Sequence, residues 1–382
     1  MIKETIGLHK VSAIIFKMGS CGLMLTFLLV ACQQQHREYA DSTGDSAPTG
    51  QQPSTRDTVP SPLFTDPNYH GSCDPEVVWN AADNHWYIYY TARRPALQNT
   101  WLRTPLGVIR SKDLLQWQFL GYCYFDAKGG QRDADATFWA PAITTHNDSL
   151  HMFVTYKPDT VPTQGAWGGP GQIVHYKTAL TDPVKGWRRV GVIHDQELST
   201  IDATVFKIDE KYKVWFKGKK KGERKNELYQ LETADFQRWE AKGFTKSDVF
   251  NKSATGSGFE EAPYVFEWKR RYWLITDPHE GLFVYSSTDG DYWDFQGTIL
   301  KENGSRPQDG SRARHCSVSI KDDRAFIFYH VEPWRRYELE KAGEGRVPIF
   351  KQPLENRRSV LQMAELKMEA GKIICDRDAV IL

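Results

Sequence analysis

The chain has 382 residues, of which 40% are hydrophobic and 25% are charged, and its formal net charge is +1. A chain of this composition can bury a large core, and its nearly neutral charge argues against a partner that is a polyanion, such as nucleic acid. Aromatic residues make up 13% of the chain, which favours a β-rich fold or a surface that stacks against sugar rings.

The N-terminal residues 1–31 are predicted to be a signal peptide. Three lysines precede the apolar stretch 18–32, which is too short for a membrane span. The stretch ends in Leu-Val-Ala-Cys and resembles the bacterial lipobox, so Cys32 is predicted to be lipidated and to become the mature N-terminus. We therefore expect an exported protein that is anchored by lipid to the bacterial outer membrane.

Residues 32–60 are rich in Gln, Ser, Thr and Pro and contain almost no large apolar side chain. Such a segment cannot bury a core, and it is predicted to be a flexible tether in front of a folded domain at 61–382. The cysteines of that domain fit neither a zinc pattern nor a disulfide scaffold. They are Cys73, Cys123, Cys316 and Cys375.

Five segments of the folded part share one pattern, a short apolar strand, a turn and an aromatic-rich strand. Their first residues lie 54 to 65 positions apart and are Asp74, Trp139, Asp202, Glu261 and His315. Several segments continue into a second phrase that ends in tryptophan, at Trp117, Trp239, Trp293 and, more loosely, Trp187. Each unit therefore has two hairpins, which predicts an all-β, five-bladed β-propeller with four antiparallel strands per blade and an axial active site. A β-sandwich does not explain a period near 60 residues.

In a propeller the first strand of each blade is innermost, so the five first residues are expected to converge on the axis. Three of them, Asp74, Asp202 and Glu261, are acids. Burying acids close together is costly unless they are paired or solvated, so this set indicates a site. Glycosidic bond cleavage uses one protonated and one ionised carboxyl group, and a third acid can keep the donor protonated.

The second strand of each blade returns to the same end of the axis and is expected to bring a rim of polar and aromatic side chains. This rim contains Arg93, Arg94, Lys157, Lys217, Asp277, His279, His330 and Trp334. A polar pocket with aromatic walls suits a sugar. The predicted substrate-binding residues are Trp139, Arg93, Lys217, Phe259, His279, Arg314, His315 and Trp334. Glu260, beside Glu261, is interpreted as a flanking residue at the pocket edge.

The blade openings Asp74-Pro75, Trp139-Ala140-Pro141, Ile201-Asp202-Ala203 and Glu261-Ala262-Pro263 form an ordered set. This set resembles the pattern of glycoside hydrolase family 43 from about residue 68 onward. The resemblance implies that Asp74 is the general base, that Asp202 tunes the pKa and orients the substrate, and that Glu261 is the general acid. It also implies inversion at the anomeric centre of arabinofuranosides, xylosides or galactosides in plant or algal material. His315 matches a histidine near a bound calcium ion or water, so a structural calcium is expected and no cofactor is required.

Other interpretations remain open at this point. In some related five-bladed families, such as family 117, a histidine is the proton donor, which would make His315 catalytic. Five-bladed mannoside phosphorylases need a cationic subsite, for which Arg93, Arg94, Lys157, Lys217 and the basic run 217–225 are candidates. We interpret that run as a solvated hairpin tip and expect hydrolysis. A lipoprotein that binds glycans without cutting them is the third alternative, and the sequence does not predict the oligomeric state.

Overall fold

The structure is a computed structural model that describes residues 59–97, 99–129, 136–158, 169–194, 197–222, 226–247, 260–341 and 343–379. All of them belong to one compact unit, Ser54–Leu382. The predicted signal peptide, Cys32, most of the predicted tether and Phe259 lie outside the described residues, so the domain boundaries and the lipid anchor stay predictions. Within the described ranges, no helix is long and apolar enough to cross a membrane.

Five sheets account for the fold, and each contains four consecutive antiparallel strands. Blade 1 contains β1 (Ser72–Asn80), β2 (His85–Ala92), β3 (Leu106–Ser111) and β4 (Gln118–Tyr122). Blade 2 contains β7 (Thr137–His146), β8 (Ser149–Lys157), β9 (Gln172–Ala179) and β10 (Arg188–Val192). Blade 3 contains β11 (Leu198–Ile208), β12 (Lys211–Lys220), β13 (Glu227–Thr233) and β14 (Glu240–Phe244).

Blade 4 contains β16 (Glu261–Trp268), β17 (Arg271–Asp277), β18 (Leu282–Ser287) and β19 (Tyr292–Ile299). The short strand β15 (Lys246–Ser247) adds to its outer edge, parallel to β19. Blade 5 contains β20 (Arg314–Lys321), β21 (Arg324–Val331), β22 (Val360–Glu369) and β23 (Lys372–Cys375). The remaining elements are the hairpin β5 (Tyr124–Phe125) and β6 (Lys128–Gly129), the helix α1 (Tyr337–Glu340) and 3-10 turns at Ile349–Lys351 and Leu354–Arg357.

The blades close into a ring, because each innermost strand contacts the innermost strands of both neighbouring blades. The contacts run in order through β1, β7, β11, β16 and β20, and β20 returns to β1. The segment before β1 also joins blade 5, since the Leu63 amide donates to the Leu361 carbonyl over 2.9 Å. The predicted five-bladed β-propeller is confirmed.

Hydrophobic clusters fill the spaces between neighbouring blades. The largest fully buried side chains include Trp187 and Trp293, two of the tryptophans that end the repeated phrase. A hydrogen-bonded turn precedes Trp293, in which the Ser287 hydroxyl accepts from the Gly290 amide over 2.8 Å. The repeated phrase therefore encodes a polar turn between the outer strands and a large side chain that packs into the core.

Each innermost strand is interrupted near its start by a register irregularity. The first residue inside each irregularity has a positive φ angle, and these five residues are Asp74 (50°), Ala140 (37°), Asp202 (55°), Ala262 (49°) and His315 (26°). The left-handed conformation is unfavourable for residues other than glycine, and such strain concentrates at functional sites. In blades 2 and 4 the sequence alignment was wrong by one residue, because Trp139 and Glu261 precede the equivalent positions.

Candidate active site

The five strained residues, here called the first axial ring, are held by the blades that precede them. In four cases a side chain on the second strand of the preceding blade accepts a hydrogen bond from the backbone amide of the axial residue. The pairs are Asp74 with His330 Nδ1 (3.2 Å), Ala140 with Thr91 Oγ1 (2.9 Å), Asp202 with Thr155 Oγ1 (2.9 Å) and His315 with Asp277 Oδ2 (3.2 Å).

Lys217 occupies the same position in blade 3, where it pairs with Ile201 as Thr91 pairs with Cys73 in blade 1. A lysine ammonium has no acceptor atom, so it cannot accept from the amide of Ala262. Its Nζ lies instead 3.0 Å from Glu261 Oε2. At this position of the repeat, blade 3 therefore has the cation Lys217 in place of a hydrogen-bond acceptor, and the cation pairs with the acid Glu261.

The three predicted acids converge on one imidazole ring, that of His315. Its Nδ1 lies 2.9 Å from Asp74 Oδ1. Its Nε2 lies 3.3 Å from Glu261 Oε1 and 4.0 Å from Asp202 Oδ2. All four side chains are buried. The structure therefore brings Asp74, Asp202, Glu261 and His315 together, as expected from the sequence.

Glu261 is surrounded by basic side chains. Besides Lys217, His279 Nε2 lies 2.6 Å from Oε1 and Arg314 Nη2 lies 3.4 Å from the same oxygen. Burial opposes ionisation, but Lys217 and His279 hold the pKa of the Glu261 carboxyl well below its usual range. Glu261 is consequently ionised in the free protein at neutral pH.

Asp74 and Asp202 titrate at opposite ends of the carboxyl range. Burial works to raise the pKa of Asp74, but the neighbouring His315 and Arg93 hold it well below its usual range. Burial, helped by the nearby Glu261 and Asp74 carboxylates, raises the pKa of Asp202 to about 7. Asp202 Oδ2 is a buried oxygen without a hydrogen-bond partner in the described part of the chain.

Burial disfavours the charged form of His315, but Asp74 and Asp202 raise the pKa of its imidazole well above the usual value. At neutral pH His315 is therefore protonated and Asp202 is partly protonated, whereas Asp74 and Glu261 are ionised. These groups are in mutual contact or nearly so, and their protons belong to the coupled set rather than to one residue.

A second layer of charge lies behind the acids, and sequence reasoning missed its centre, Glu332. This carboxylate is 2% exposed and accepts from Arg93 Nη1 over 2.7 Å. It also accepts from Arg335 Nη1 over 2.7 Å and from the Tyr337 hydroxyl over 2.8 Å. The only sequence signal was an acid two positions after His330, at the end of β21.

An apolar cluster that includes Trp139 adjoins the first axial ring at Ala140. Trp139 is 9% exposed, and its Nε1 donates to the Trp101 carbonyl over 2.7 Å. Lys157 Nζ lies 4.3 Å from the centre of the Trp139 ring. Trp101 and Ile349 pack against Trp139 and were not predicted, because both come from loops whose path sequence patterns do not specify.

The rim predictions have mixed outcomes. Arg94 does not point at the acids, since its guanidinium packs over the Tyr69 ring and donates to the Arg103 carbonyl. Trp334 is exposed at the surface. Glu260 does not line the pocket edge as expected, because it is 1% exposed and accepts from the Thr276 hydroxyl over 2.6 Å inside blade 4.

The family resemblance implies a calcium ion near the axis, where two groups of side chains could act as ligands. Asp202, Glu261 and His315 place donor atoms within 4.8 Å of one another, as do Glu261, Asp277 and His279. Calcium takes six to eight oxygen ligands, whereas each set offers two carboxylates and one imidazole. The cations Lys217 and Arg314 already contact Glu261. These donors therefore fit calcium poorly.

Comparisons with known proteins identify the family of the chain. The family model described as "Glycosyl hydrolases family 43" matches residues 64–349. A solved structure of a thermostable family-43 glycoside hydrolase is 17% identical, with coverage of 83% of this chain and 97% of its own and a TM-score of 0.56. No curated protein sequence matches the chain significantly.

Two further solved structures are similar in fold. The GH43_1 enzyme from Xanthomonas citri complexed with xylotriose is 15% identical over 83% of this chain and 93% of its own, with a TM-score of 0.57. An alpha-L-arabinofuranosidase from Lactobacillus brevis is 17% identical over 80% of this chain and 94% of its own, with a TM-score of 0.53. At these identities the likeness shows the fold, whereas the family model spans most of the chain. The chain belongs to glycosyl hydrolases family 43 and is a glycoside hydrolase.

Proposed function

We propose that the protein hydrolyses a glycosidic bond in plant or algal oligosaccharides by a single displacement that inverts the anomeric centre. Asp74 is the general base, Glu261 the general acid, and Asp202 tunes the pKa of the site. The observation that carries the proposal is the position of Asp74 and Glu261 on opposite nitrogens of the His315 ring. A ring between the carboxyls favours the roughly 6.5–9.5 Å spacing of inverting pairs over the roughly 5 Å spacing of retaining pairs.

In this proposal the ionised Asp74 takes a proton from the attacking water while the leaving oxygen receives one from Glu261. Because the nearby cations keep Glu261 ionised in the free site, it must first be protonated. His315 Nε2 lies 3.3 Å from Glu261 Oε1, and Asp202 holds a proton near neutral pH. The coupled group therefore supplies the proton, and each turnover returns it from Asp74 through His315.

Leaving-group dependence tests these roles. On an oligosaccharide, both Glu261→Gln and Asp74→Asn are expected to lower kcat by about 10²- to 10⁴-fold. An aryl glycoside with an acidic phenol needs no proton donor, so Glu261→Gln regains activity on it and Asp74→Asn does not. If His315→Gln shows this rescue and Glu261→Gln does not, the donor is His315 and the proposed role of Glu261 is wrong.

We further propose that the sugar lies against Trp139 and is contacted by Lys217, His279 and Trp334. His279 supports this, because its side chain is 40% exposed and reaches Glu261. The similar proteins include a xylotriose complex and an arabinofuranosidase, so a panel of plant and algal glycans should begin with xylo- and arabino-oligosaccharides. Proton NMR of the first product anomer gives substrate and stereochemistry together, and a retained configuration rejects the inverting mechanism.

The two other activities are separated by the same panel. A phosphorylase needs a cationic subsite, but Arg93 and Lys217 are already paired with Glu332 and Glu261. Turnover that requires phosphate and yields a sugar phosphate would still establish phosphorolysis. A glycan-binding protein without activity would bind the panel equally well after Glu261→Gln and would release no product before or after it.

We propose that the enzyme is exported and attached to the outer membrane through a lipid on Cys32. The support is the Leu-Val-Ala-Cys sequence after an apolar stretch. Cys32→Ala is expected to move the protein from the membrane fraction to the soluble fraction. An unchanged distribution contradicts the lipid anchor without bearing on the chemistry of the site.

A further inference from the structure

We infer that Glu332 is a positioning residue that holds Arg93 toward Asp74 and Arg314 toward Glu261. The inference rests on the proposed roles of Asp74 and Glu261. Glu332 itself is separated from both acids by the two guanidinium groups. It acts on the reaction only through those cations.

One oxygen of Glu332 holds the cation that faces the proposed base. Arg93 Nη1 lies 2.7 Å from Glu332 Oε1, and its other terminal nitrogen, Nη2, lies 3.9 Å from Asp74 Oδ1. The guanidinium is planar, so fixing one terminal nitrogen fixes the direction of the other. Glu332 thus sets the distance between Arg93 and Asp74.

The other oxygen of Glu332 faces the cation beside the proposed acid. Arg314 Nη1 lies 3.6 Å from Glu332 Oε2, while its Nη2 lies 3.4 Å from Glu261 Oε1. Asp277 fixes the third nitrogen of this guanidinium, with Nε at 2.6 Å from Oδ2. One carboxylate therefore contacts the two arginines that reach the two proposed catalytic acids.

Glu332 is itself held firmly. Arg335 and the Tyr337 hydroxyl bind its Oε2 over 2.7 Å and 2.8 Å. Arg335 is fixed in turn by two hydrogen bonds to Glu340, of 2.7 Å and 2.8 Å. Since a buried carboxylate with several charge-assisted hydrogen bonds has little freedom, the segment after β21 transmits its position to the axis.

Glu332→Gln tests the inference, and Glu365→Gln is the matched control because Glu365 also pairs with an arginine of blade 5, Arg324, but does not contact Glu332, Arg93 or Arg314. We expect Glu332→Gln to lower kcat by about 10- to 100-fold with KM within about threefold, since misplaced groups impair the chemical step. Glu365→Gln should leave both constants within about twofold of the wild type.

The acidic limb of the pH profile separates positioning from a simple charge effect. Arg93 lowers the pKa of Asp74, so release of Arg93 raises that pKa and moves the limb to higher pH. Loss of the Glu332 charge alone would make the site more positive and move the limb to lower pH. A shift to lower pH, or no shift, overturns the inference.

A crystal structure of Glu332→Gln gives a readout that needs no substrate. We expect Arg93 Nη2 to lie farther from Asp74 than the present 3.9 Å. An unchanged distance rejects the inference even if the proposed function also fails. If the wild type is active and Asp74→Asn abolishes turnover while Glu332→Gln behaves as wild type, only the role of Glu332 is wrong.

Tyr337→Phe is a second variant in case Glu332→Gln does not fold. It removes one hydrogen bond to Glu332 and changes no charge. We expect a loss in kcat of about threefold and a smaller shift of the acidic limb in the same direction, toward higher pH. A wild-type profile for this variant counts against the inference.

Discussion

Two rings of side chains surround the axis, and the buried acids Asp74 and Glu76 differ in charge between them. In the first axial ring, Asp74 faces the imidazole of His315 and the guanidinium of Arg93. The second axial ring lies two residues farther along the same strands and contains Glu76, Ala142, Thr204, Tyr264 and Ser317. A buried acid occurs in both rings, so burial of a carboxyl group on the axis does not by itself identify a catalytic residue.

The difference between the rings lies in the partners. Glu76 Oε1 accepts from the Ile143 amide over 2.9 Å, as Thr204 Oγ1 accepts from Val265 and Ser317 Oγ from Val77. Burial raises the pKa of Glu76 to about 8, so it is neutral at pH 7 and replaces a hydroxyl in a structural hydrogen bond. In the first ring, by contrast, His315 and Arg93 keep Asp74 ionised, and a left-handed backbone conformation presents its side chain.

Exchanging an acid for its amide in each ring gives the largest expected contrast. Asp74→Asn should lower kcat/KM by about 10²- to 10⁴-fold, because the amide cannot accept a proton from water. Glu76→Gln keeps the acceptor for the Ile143 amide and should stay within about twofold of wild type. Initial rates on the best glycan of the panel measure both, and equal losses would mean that the second ring also takes part in catalysis.

The next test concerns Lys217, the buried cation that pairs with Glu261. Lys217 is the charge that does most to lower the pKa of Glu261, so Lys217→Met should raise that pKa. The basic limb of kcat/KM then moves to higher pH. Lys213→Met is the control, since Lys213 is a buried lysine of the same strand that pairs with Asp291 over 2.6 Å, away from the axis. A basic limb that responds equally to both changes contradicts the pairing of Lys217 with Glu261.

Thr155 supports the first ring through a hydroxyl, and Thr204 belongs to the second ring. Removing either hydroxyl should separate effects on stability from effects on activity. Thr204→Val and Thr155→Val each leave a buried amide without its acceptor, at a cost of about 1–3 kcal/mol in the free energy of unfolding. Only Thr155 holds the strained amide of Asp202, so only Thr155→Val should also lower kcat, by about tenfold or more. Denaturant unfolding and initial rates measure the two effects, and an equal kcat for both variants breaks the distinction.

The neutral acid of the second ring predicts a pH dependence of stability. The folded pKa of Glu76 is raised from 4.5 to about 8, so the folded state binds more protons between these values. This contribution is fully present below pH 4.5 and is lost as pH rises toward 8, with a slope of up to about 1.4 kcal/mol per pH unit. Unfolding curves of Glu76→Gln should show a shallower decline than wild type over that range. Parallel curves would show that Glu76 is ionised in the folded protein.

Chelation should have the smallest effect. Because Lys217 and Arg314 contact Glu261, and His315 and Arg93 lie beside Asp74, these two carboxylates do not need a metal ion to stay charged. Treatment with EDTA is expected to leave kcat and the melting temperature unchanged, with calcium added back as the control. A loss that calcium restores would show that a calcium ion is bound.

Much of this protein could be predicted from the sequence, because repetition is a local signal. The turn chemistry and the tryptophan of each repeated phrase specify the outer strands, and Asp74 and Asp202 lie at the bulges of their strands, in equivalent positions as the alignment requires. The alignment failed by one residue at Trp139 and Glu261, since a bulge inserts a residue without changing the pattern of apolar side chains. The period and the acids were therefore predictable, but the position of the bulge was not.

The sequence by itself determined the blade count, the order of the strands and the residue types that reach the axis, because these depend on local periodicity. Only the tertiary structure decided which acid is charged. Lys217 is 44 residues from Glu261 along the chain and Glu332 is 239 residues from Arg93, yet each pair is in contact. The pKa of a buried carboxyl depends on such neighbours through space, and no pattern along the chain records them.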